Sequence, residues 1–198
     1  MDGLYPLFNG PLEQAIYVER FKKGSKRYEQ YKAYAQTVEG IFQTVYTAAV
    51  DEIFPRFKTQ GLPNEVLEIT MIGYADPQPI IGKYVENETI RFEDLKGQPQ
   101  SVSTGDDMTN LKLSGLRAWH SGLYLDKLFS DAAANGHPEY VELINTGRIR
   151  YKYIGGDVSN DNSNYAVQRR IHIKISRVGE GISARGSGVE FNSNERWK

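Results

Sequence analysis

The segment 110–128, with the sequence NLKLSGLRAWHSGLYLDKL, is the strongest local constraint on how this chain folds. Its apolar residues recur at steps of three and four, which predicts an amphipathic helix with one face against a core. Ser114 is of a type preferred at helix N-caps, and we predict that the first turn begins there. Arg117 follows three residues later, where the helix dipole favours an acid. A cation at that position indicates a site for an anionic ligand, because first-turn amides and a guanidinium both attract a carboxylate or phosphate.

Strands and helices alternate along the chain, and this order predicts the fold class. The clearest strand pattern alternates isoleucine with polar residues from Ile171 to Ile175. Pro55 is expected to end a long helix that begins after Gly24. The order β-α-β-α-β-β predicts an α/β (α+β) two-layer sandwich, with a mixed sheet of about four strands covered by helices. The predicted strands are 15–21, 66–73, 148–155 and 171–175, and the predicted helices are 25–54 and 110–128. The segment 132–146 is expected to be helical or irregular.

The domain organisation follows from where glycine, proline and polar residues accumulate. Residues 1–12 are predicted to be a lead-in segment, followed by one domain over 13–178. Within it, 77–109 is interpreted as a long loop inserted after the second strand, with one short element at most. Glycine, serine and asparagine dominate 179–198, which predicts a loose C-terminal tail.

Composition excludes several classes of function. The 24 basic and 25 acidic residues nearly cancel, which argues against whole-surface attraction to nucleic acid or anionic membrane. The chain has no cysteine, so it has neither disulfides nor zinc–thiolate sites. Its three histidines lie in different elements without metal-ligand spacing. No nucleophile motif, phosphate-binding loop or dinucleotide fingerprint is present, and we expect a non-enzymatic protein without metal or cofactor.

Four short motifs carry a resemblance to a known family. They are GYAD at 73–76, NLKLSGLRA at 110–118, RIRYKYIGG at 148–156 and QRRIHIKI at 168–175. Together they resemble the OmpA-like peptidoglycan-binding domain of outer-membrane anchors, peptidoglycan-associated lipoproteins and stator subunits of the MotB kind. That family has a strand ending in G-[HY]-[TS]-D, an N-x-x-L-S-x-x-R-A helix start, and an N-R-R-[VI] entry to a final strand. The helix motif matches completely and the other two partially.

The resemblance implies a ligand and a set of site residues. Asp76 and Arg117 are implied to grip the free amino-acid end of meso-diaminopimelate in the wall peptide. An aspartate would receive the ammonium while an arginine holds the carboxylate. Asn110 would brace the loop before the helix. The other implied ligand-binding residues are Tyr74 and Arg170, and the implied structural support comes from Gly73, Leu113, Ser114 and Arg169.

The chain departs from the family pattern in ways that leave alternatives open. Ala75 replaces the family's threonine or serine, and some thirty residues separate Asp76 from Asn110 where the family has fewer than about ten. The inserted segment 77–109 would therefore either form a lid that narrows ligand choice or cover a site that no longer binds. The second possibility is a structural or oligomerisation module with a degenerate site.

Two further classes are weighed against peptidoglycan binding. The cations of 148–152 and 169–174 would form a basic sheet face for nucleic acid, but alternation puts Tyr151 and Tyr153 on the opposite face, where they would not assist the cations. Asp106 and Asp107 supply paired carboxylates for glycoside cleavage, but they lie in a loop without an apolar frame.

Peptidoglycan is the expected partner, and we expect no nucleic acid. The resemblance to stators implies a homodimer and a place in the periplasm as a cell-wall anchor of the cell envelope. The N-terminus has neither a signal peptide nor a membrane segment. We therefore expect the soluble part of a longer protein, held to a membrane only by a segment absent from this chain.

Overall fold

A computed structural model describes residues 24–75, 77, 80–156, 170–179 and 188–192 of the protein. The predicted lead-in segment 1–12 and first strand 15–21 lie outside the described residues, as do Asp76 and Arg169. The helices are α1 (Lys26–Ala48), α2 (Phe54–Gln60), α3 (Asn110–Ala133) and α4 (Glu139–Asn145). The strands are β1 (Val66–Gly73), β2 (Thr89–Asp94), β3 (Pro99–Ser103), β4 (Ile149–Gly155), β5 (Ile171–Val178) and β6 (Gly188–Asn192).

The strands form one mixed sheet in the order β3-β2-β4-β1-β5-β6. β1 runs parallel to β4 and antiparallel to β5, while β2 runs parallel to β4. Alternating residues of β1, such as Ile69 and Met71, are buried beneath the helices. The predicted α/β two-layer sandwich with a mixed, helix-covered sheet is therefore confirmed.

The inserted segment 77–109 contributes two of the six strands. β2 and β3 form an antiparallel hairpin, and β2 joins the sheet beside β4. The ring of Phe92 occupies the space where side chains of Gly115 and Gly155 would lie, since a Cβ on either glycine would be 2.6 or 2.8 Å from it. The hairpin is thus part of the core, and the expectation of a loop with one short element is wrong. The signal was present in the alternation of Ile90 and Phe92 with Arg91 and Glu93.

The C-terminal segment 179–198 was predicted to be a loose tail, and this is wrong for Gly188–Asn192. These residues form β6, which pairs antiparallel with β5 from Ser176 to His172. An unpaired strand edge exposes a row of backbone donors and acceptors, and β6 satisfies those of β5. A strand of five residues among glycine, serine and asparagine is too short for its alternation to be recognised.

The long N-terminal helix continues past the proline that was expected to end it. α1 passes through a π-helical turn at Ala49–Ile53 into α2, which contains Pro55 in its first turn. The amide of Phe54 donates to the carbonyl oxygen of Ala49, and Pro55, which has no amide to donate, follows where the hydrogen-bond pattern changes from π-helical to α-helical. Phe57 consequently becomes a buried core residue beyond the predicted stop, and Phe54, the last residue of the predicted helix, is buried as well.

Candidate ligand-binding site

The ends of three central strands meet at one edge of the sheet. Gly73 at the end of β1 pairs with Gly155 at the end of β4, and the amide of Gly156 donates to the carbonyl oxygen of Gly73 (2.7 Å). β5 begins at the same edge, where the amide of Tyr74 donates to the carbonyl oxygen of Arg170 (3.0 Å). Tyr74 and Arg170, two predicted site residues, are therefore neighbours.

Helix α3 lies directly against this edge because Gly73 has no side chain. A Cβ on Gly73 would be 2.1 Å from the carbonyl oxygen of Ser114 and 3.0 Å from the Cβ of Arg117. No real side chain tolerates such an approach to backbone, so glycine is required for this packing. The close packing of α3 against Gly73 is a structural role of the kind that was predicted for this residue.

The predicted helix start at Ser114 is wrong. α3 begins at Asn110, and Thr109 is its N-cap, with Oγ1 accepting from the amide of Lys112 (3.2 Å). Ser114 is buried inside the helix, where its hydroxyl has one proton to donate and two carbonyl oxygens within reach, those of Leu111 (2.8 Å) and Gly156 (3.2 Å). Thr109, like Ser114, is of a residue type that is preferred at N-caps.

Arg117 is the central charged residue of the site, but its position differs from the expected one. It follows Asn110 by seven residues, about two helical turns, so the first-turn amides are not beside its guanidinium. Arg117 is only 1% exposed, and its Nη1 donates to the carbonyl oxygen of Tyr74 (2.6 Å). Because arginine keeps its proton in proteins, a permanent positive charge lies beneath the end of β1.

Three other residues of the predicted site, Arg170, Asn110 and Leu113, have different surroundings. The guanidinium of Arg170 stacks on the ring of Tyr74, with Cζ 4.4 Å from the ring centroid. The Oδ1 atom of Asn110 is buried and has no hydrogen-bond partner within the part of the chain that the structure describes. Leu113 is buried in an apolar cluster, in agreement with its predicted role in the core.

The surroundings of Ala75 account for an alanine where the family that the sequence resembles has threonine or serine. The residue is 1% exposed and packs in an apolar cluster with Tyr84, Met108 and Leu113. A hydroxyl in this position would be surrounded by apolar side chains, and burying it without a partner is costly. The small apolar side chain at position 75 therefore fits the packing that the inserted segment brings with it.

Two of the cations proposed as a nucleic-acid surface are paired with acidic side chains. Arg150 pairs with Glu68, with Nη2 and Oε2 2.9 Å apart, and Lys152 pairs with Glu93, with Nζ and Oε2 2.8 Å apart. Arg148 instead donates to the carbonyl oxygen of Leu62 (3.0 Å). Charges already paired within the protein offer little to a phosphate backbone.

Tyr151 and Tyr153 lie on the helix-covered face, as strict alternation requires. The hydroxyls of Tyr140 and Tyr151 are 2.9 Å apart, and Tyr140 also donates to Asp126. Burial, followed by the charge of Asp126, raises the pKa of Tyr153 to about 12. Burial also raises the pKa values of Tyr140 and Tyr151, so these rings remain neutral in a packed network and are not available for stacking with bases.

Histidine and acidic residues form no metal site in the described ranges. No group of three or more histidine, cysteine, aspartate or glutamate side chains there could hold a metal ion. Burial lowers the pKa of His120, although the charges of Glu88 and Glu86 oppose this effect. Asp106 forms an ion pair with Lys112 at 3.0 Å.

Comparison with known protein families, curated proteins and solved structures finds no match for this chain. Within the described residues, none of the helices has the length and apolar character needed to cross a bilayer.

Proposed function

We propose that this domain binds peptidoglycan non-covalently, through the diaminopimelate of its stem peptide, and anchors an envelope protein to the cell wall. Four of the residues implied by the family resemblance lie on elements that meet at one edge of the sheet or at the start of α3. They are Tyr74, Asn110, Arg117 and Arg170.

The observation that carries the proposal is the bond between Arg117 and the carbonyl oxygen of Tyr74 (2.6 Å). A buried guanidinium is costly to desolvate unless hydrogen bonds and a negative charge compensate it. Asp76 follows Tyr74 by two residues. A fixed cation beneath this segment, with an aspartate on the segment itself, offers the two charges that a zwitterionic amino-acid end requires.

A small ligand of this kind supports modest affinity per site. Stable anchoring would come from many sites along the wall and from a homodimer that engages two of them. Such a ligand occurs in the periplasm, and a stator-type motor subunit or an outer-membrane tether is the kind of parent protein that would use the domain.

A second candidate function is a structural module of the same fold with a degenerate site. The burial of Arg117, at 1% exposed, favours this candidate. An arginine that is shielded from solvent and bonded to backbone can serve packing alone.

Retention on purified sacculi distinguishes the two candidates. The wild-type protein should sediment with sacculi, and Asp76→Asn should remain in the supernatant because it loses the acceptor for the ammonium. Asp131→Asn is the matched control, since Asp131 is exposed on α3 and its carboxylate pairs with Lys127 among the described residues. Equal sedimentation of wild type and Asp76→Asn, or no sedimentation of the wild type, would favour the structural module.

A further inference from the structure

The turn of the inserted hairpin lies at the same edge of the sheet as the candidate site. Asp94 at the end of β2 pairs with Gly155, and Gly155 pairs with Gly73. The three strands run parallel, so the turn Leu95–Gln98 follows its strand at the edge where Tyr74 follows β1. Two strand spacings separate these positions, which is about 10 Å.

Asp94 fixes the conformation of this turn. Its Oδ1 atom accepts from the amides of Lys96 (2.9 Å) and Gln98 (2.8 Å). The amide of Gly97 donates to the carbonyl oxygen of Asp94 (2.9 Å), and Gly97 has a φ of 75°, which favours glycine. The carboxylate of Asp94 therefore accepts hydrogen bonds from backbone amides, and these bonds hold the backbone of Lys96 in a defined conformation.

Lys96 differs from the lysines around it. Lys112 pairs with Asp106, Lys152 with Glu93, and Lys83 with Asp107. Lys96 is exposed and forms no ion pair or side-chain hydrogen bond with the described residues. Among the described residues, this edge thus carries a cation without an ion-pair partner, next to the exposed apolar side chain of Leu95.

We propose that Lys96 forms a second subsite, which binds another carboxylate of the same acidic peptide ligand. This inference depends on the proposed function, because the first contact is the amino-acid end held near Arg117. The hairpin would then make the domain selective for peptides with a second carboxylate that reaches the hairpin turn, two strands away from β1. The inserted segment would widen the site instead of closing it.

Titration with two synthetic stem tripeptides ending in meso-diaminopimelate tests this subsite. One has all its carboxylates free, and in the other every carboxylate outside the diaminopimelate amino-acid end is an amide. Wild type should bind the free peptide about fivefold more tightly, the effect of one exposed ion pair. Lys96→Gln should bind both peptides equally, and Lys96→Arg should restore the preference.

Lys127→Gln is the matched control, because Lys127 is exposed and lies about 25 Å along α3 from Asn110. It should keep the wild-type preference. If Lys96→Gln retains the preference while Asp76→Asn abolishes binding, the subsite is refuted and the proposed function stands. If the wild type binds neither peptide, both are refuted.

Discussion

The Nη1 atom of Arg117 lies 2.6 Å from the carbonyl oxygen of Tyr74, and this bond ties the middle of α3 to the end of β1. The two residues are 43 positions apart, with the whole β2–β3 hairpin between them. A helix residue that holds a strand end in this way fixes the direction in which the chain leaves the sheet. The described part of the candidate site therefore lies where α3 packs against the central strands.

Replacing Arg117 should destabilise the protein. Arg117→Ala leaves the carbonyl oxygen of Tyr74 without this donor and opens a void, and we expect a loss of about 2–4 kcal/mol in the free energy of unfolding. Arg150→Ala, which removes the exposed partner of Glu68, should cost at most about 1 kcal/mol. Urea unfolding followed by circular dichroism measures both variants. Equal small losses would contradict a structural role for the buried guanidinium.

Gly73→Ala tests the close approach of α3 to the sheet. The added Cβ would lie 2.1 Å from the carbonyl oxygen of Ser114, so the helix must move. We expect a loss of about 3 kcal/mol, at the upper end for overpacking. Ser101→Ala, on the exposed side of β3, should change stability by no more than about 0.5 kcal/mol. An unchanged free energy of unfolding for Gly73→Ala would show that α3 does not pack closely against β1.

Phe92→Ala tests whether the inserted hairpin belongs to the core. The ring is 5% exposed and lies against Gly115 and Gly155, so its removal should cost about 3–5 kcal/mol in thermal or urea unfolding. Arg91→Ala is the control, because this neighbour is exposed on the other face of β2. If both variants have the stability of the wild type, the hairpin does not contribute to the core.

Tyr153 should make the protein sensitive to alkali. Burial raises its pKa from 10.0 to about 12, so the folded state holds the phenol proton more tightly than the unfolded state. The resulting stability is complete below pH 10 and is lost as pH rises towards 12. We expect wild type to lose roughly 1 kcal/mol more than Tyr153→Phe over this range, after allowance for the partial exposure of the ring.

Urea unfolding at pH 8 and pH 11.5 provides the measurement. The pH 8 difference between wild type and Tyr153→Phe reports the loss of the hydroxyl alone, and only the additional difference at pH 11.5 reports titration. An identical decline of the two proteins at high pH would contradict the raised pKa of Tyr153.

Periodicity predicted the fold class because the regular spacing of apolar residues in single strands and helices identifies the surfaces that are buried in the fold. The isoleucines of β5 and the apolar face of α3 each identify one buried surface, and their order implies a mixed, helix-covered sheet. The β2–β3 hairpin was missed because its strands have six and five residues among glycines and prolines. Its place depends on the contact between Phe92 and Gly155, which are distant in sequence.

The motifs singled out the candidate residues, but the sequence did not predict their geometry. Tyr74, Arg117 and Arg170 were chosen from motifs, and the structure brings them to one edge of the sheet. The burial of Arg117 was not foreseen, because predicting Ser114 as the N-cap placed the arginine in the first turn. No sequence motif singles out Lys96, because its proposed role depends on the strand register that brings its turn to the edge of the candidate site.

The most direct test of peptidoglycan binding compares two stem tripeptides by isothermal titration calorimetry. One ends in meso-diaminopimelate, and the other has L-lysine in its place and so lacks the carboxylate assigned to Arg117. We expect the wild type to bind the diaminopimelate peptide at least about tenfold more tightly, and Asp76→Asn to lose that binding. Equal affinity for the two peptides, or no heat of binding for either, would contradict the proposed function.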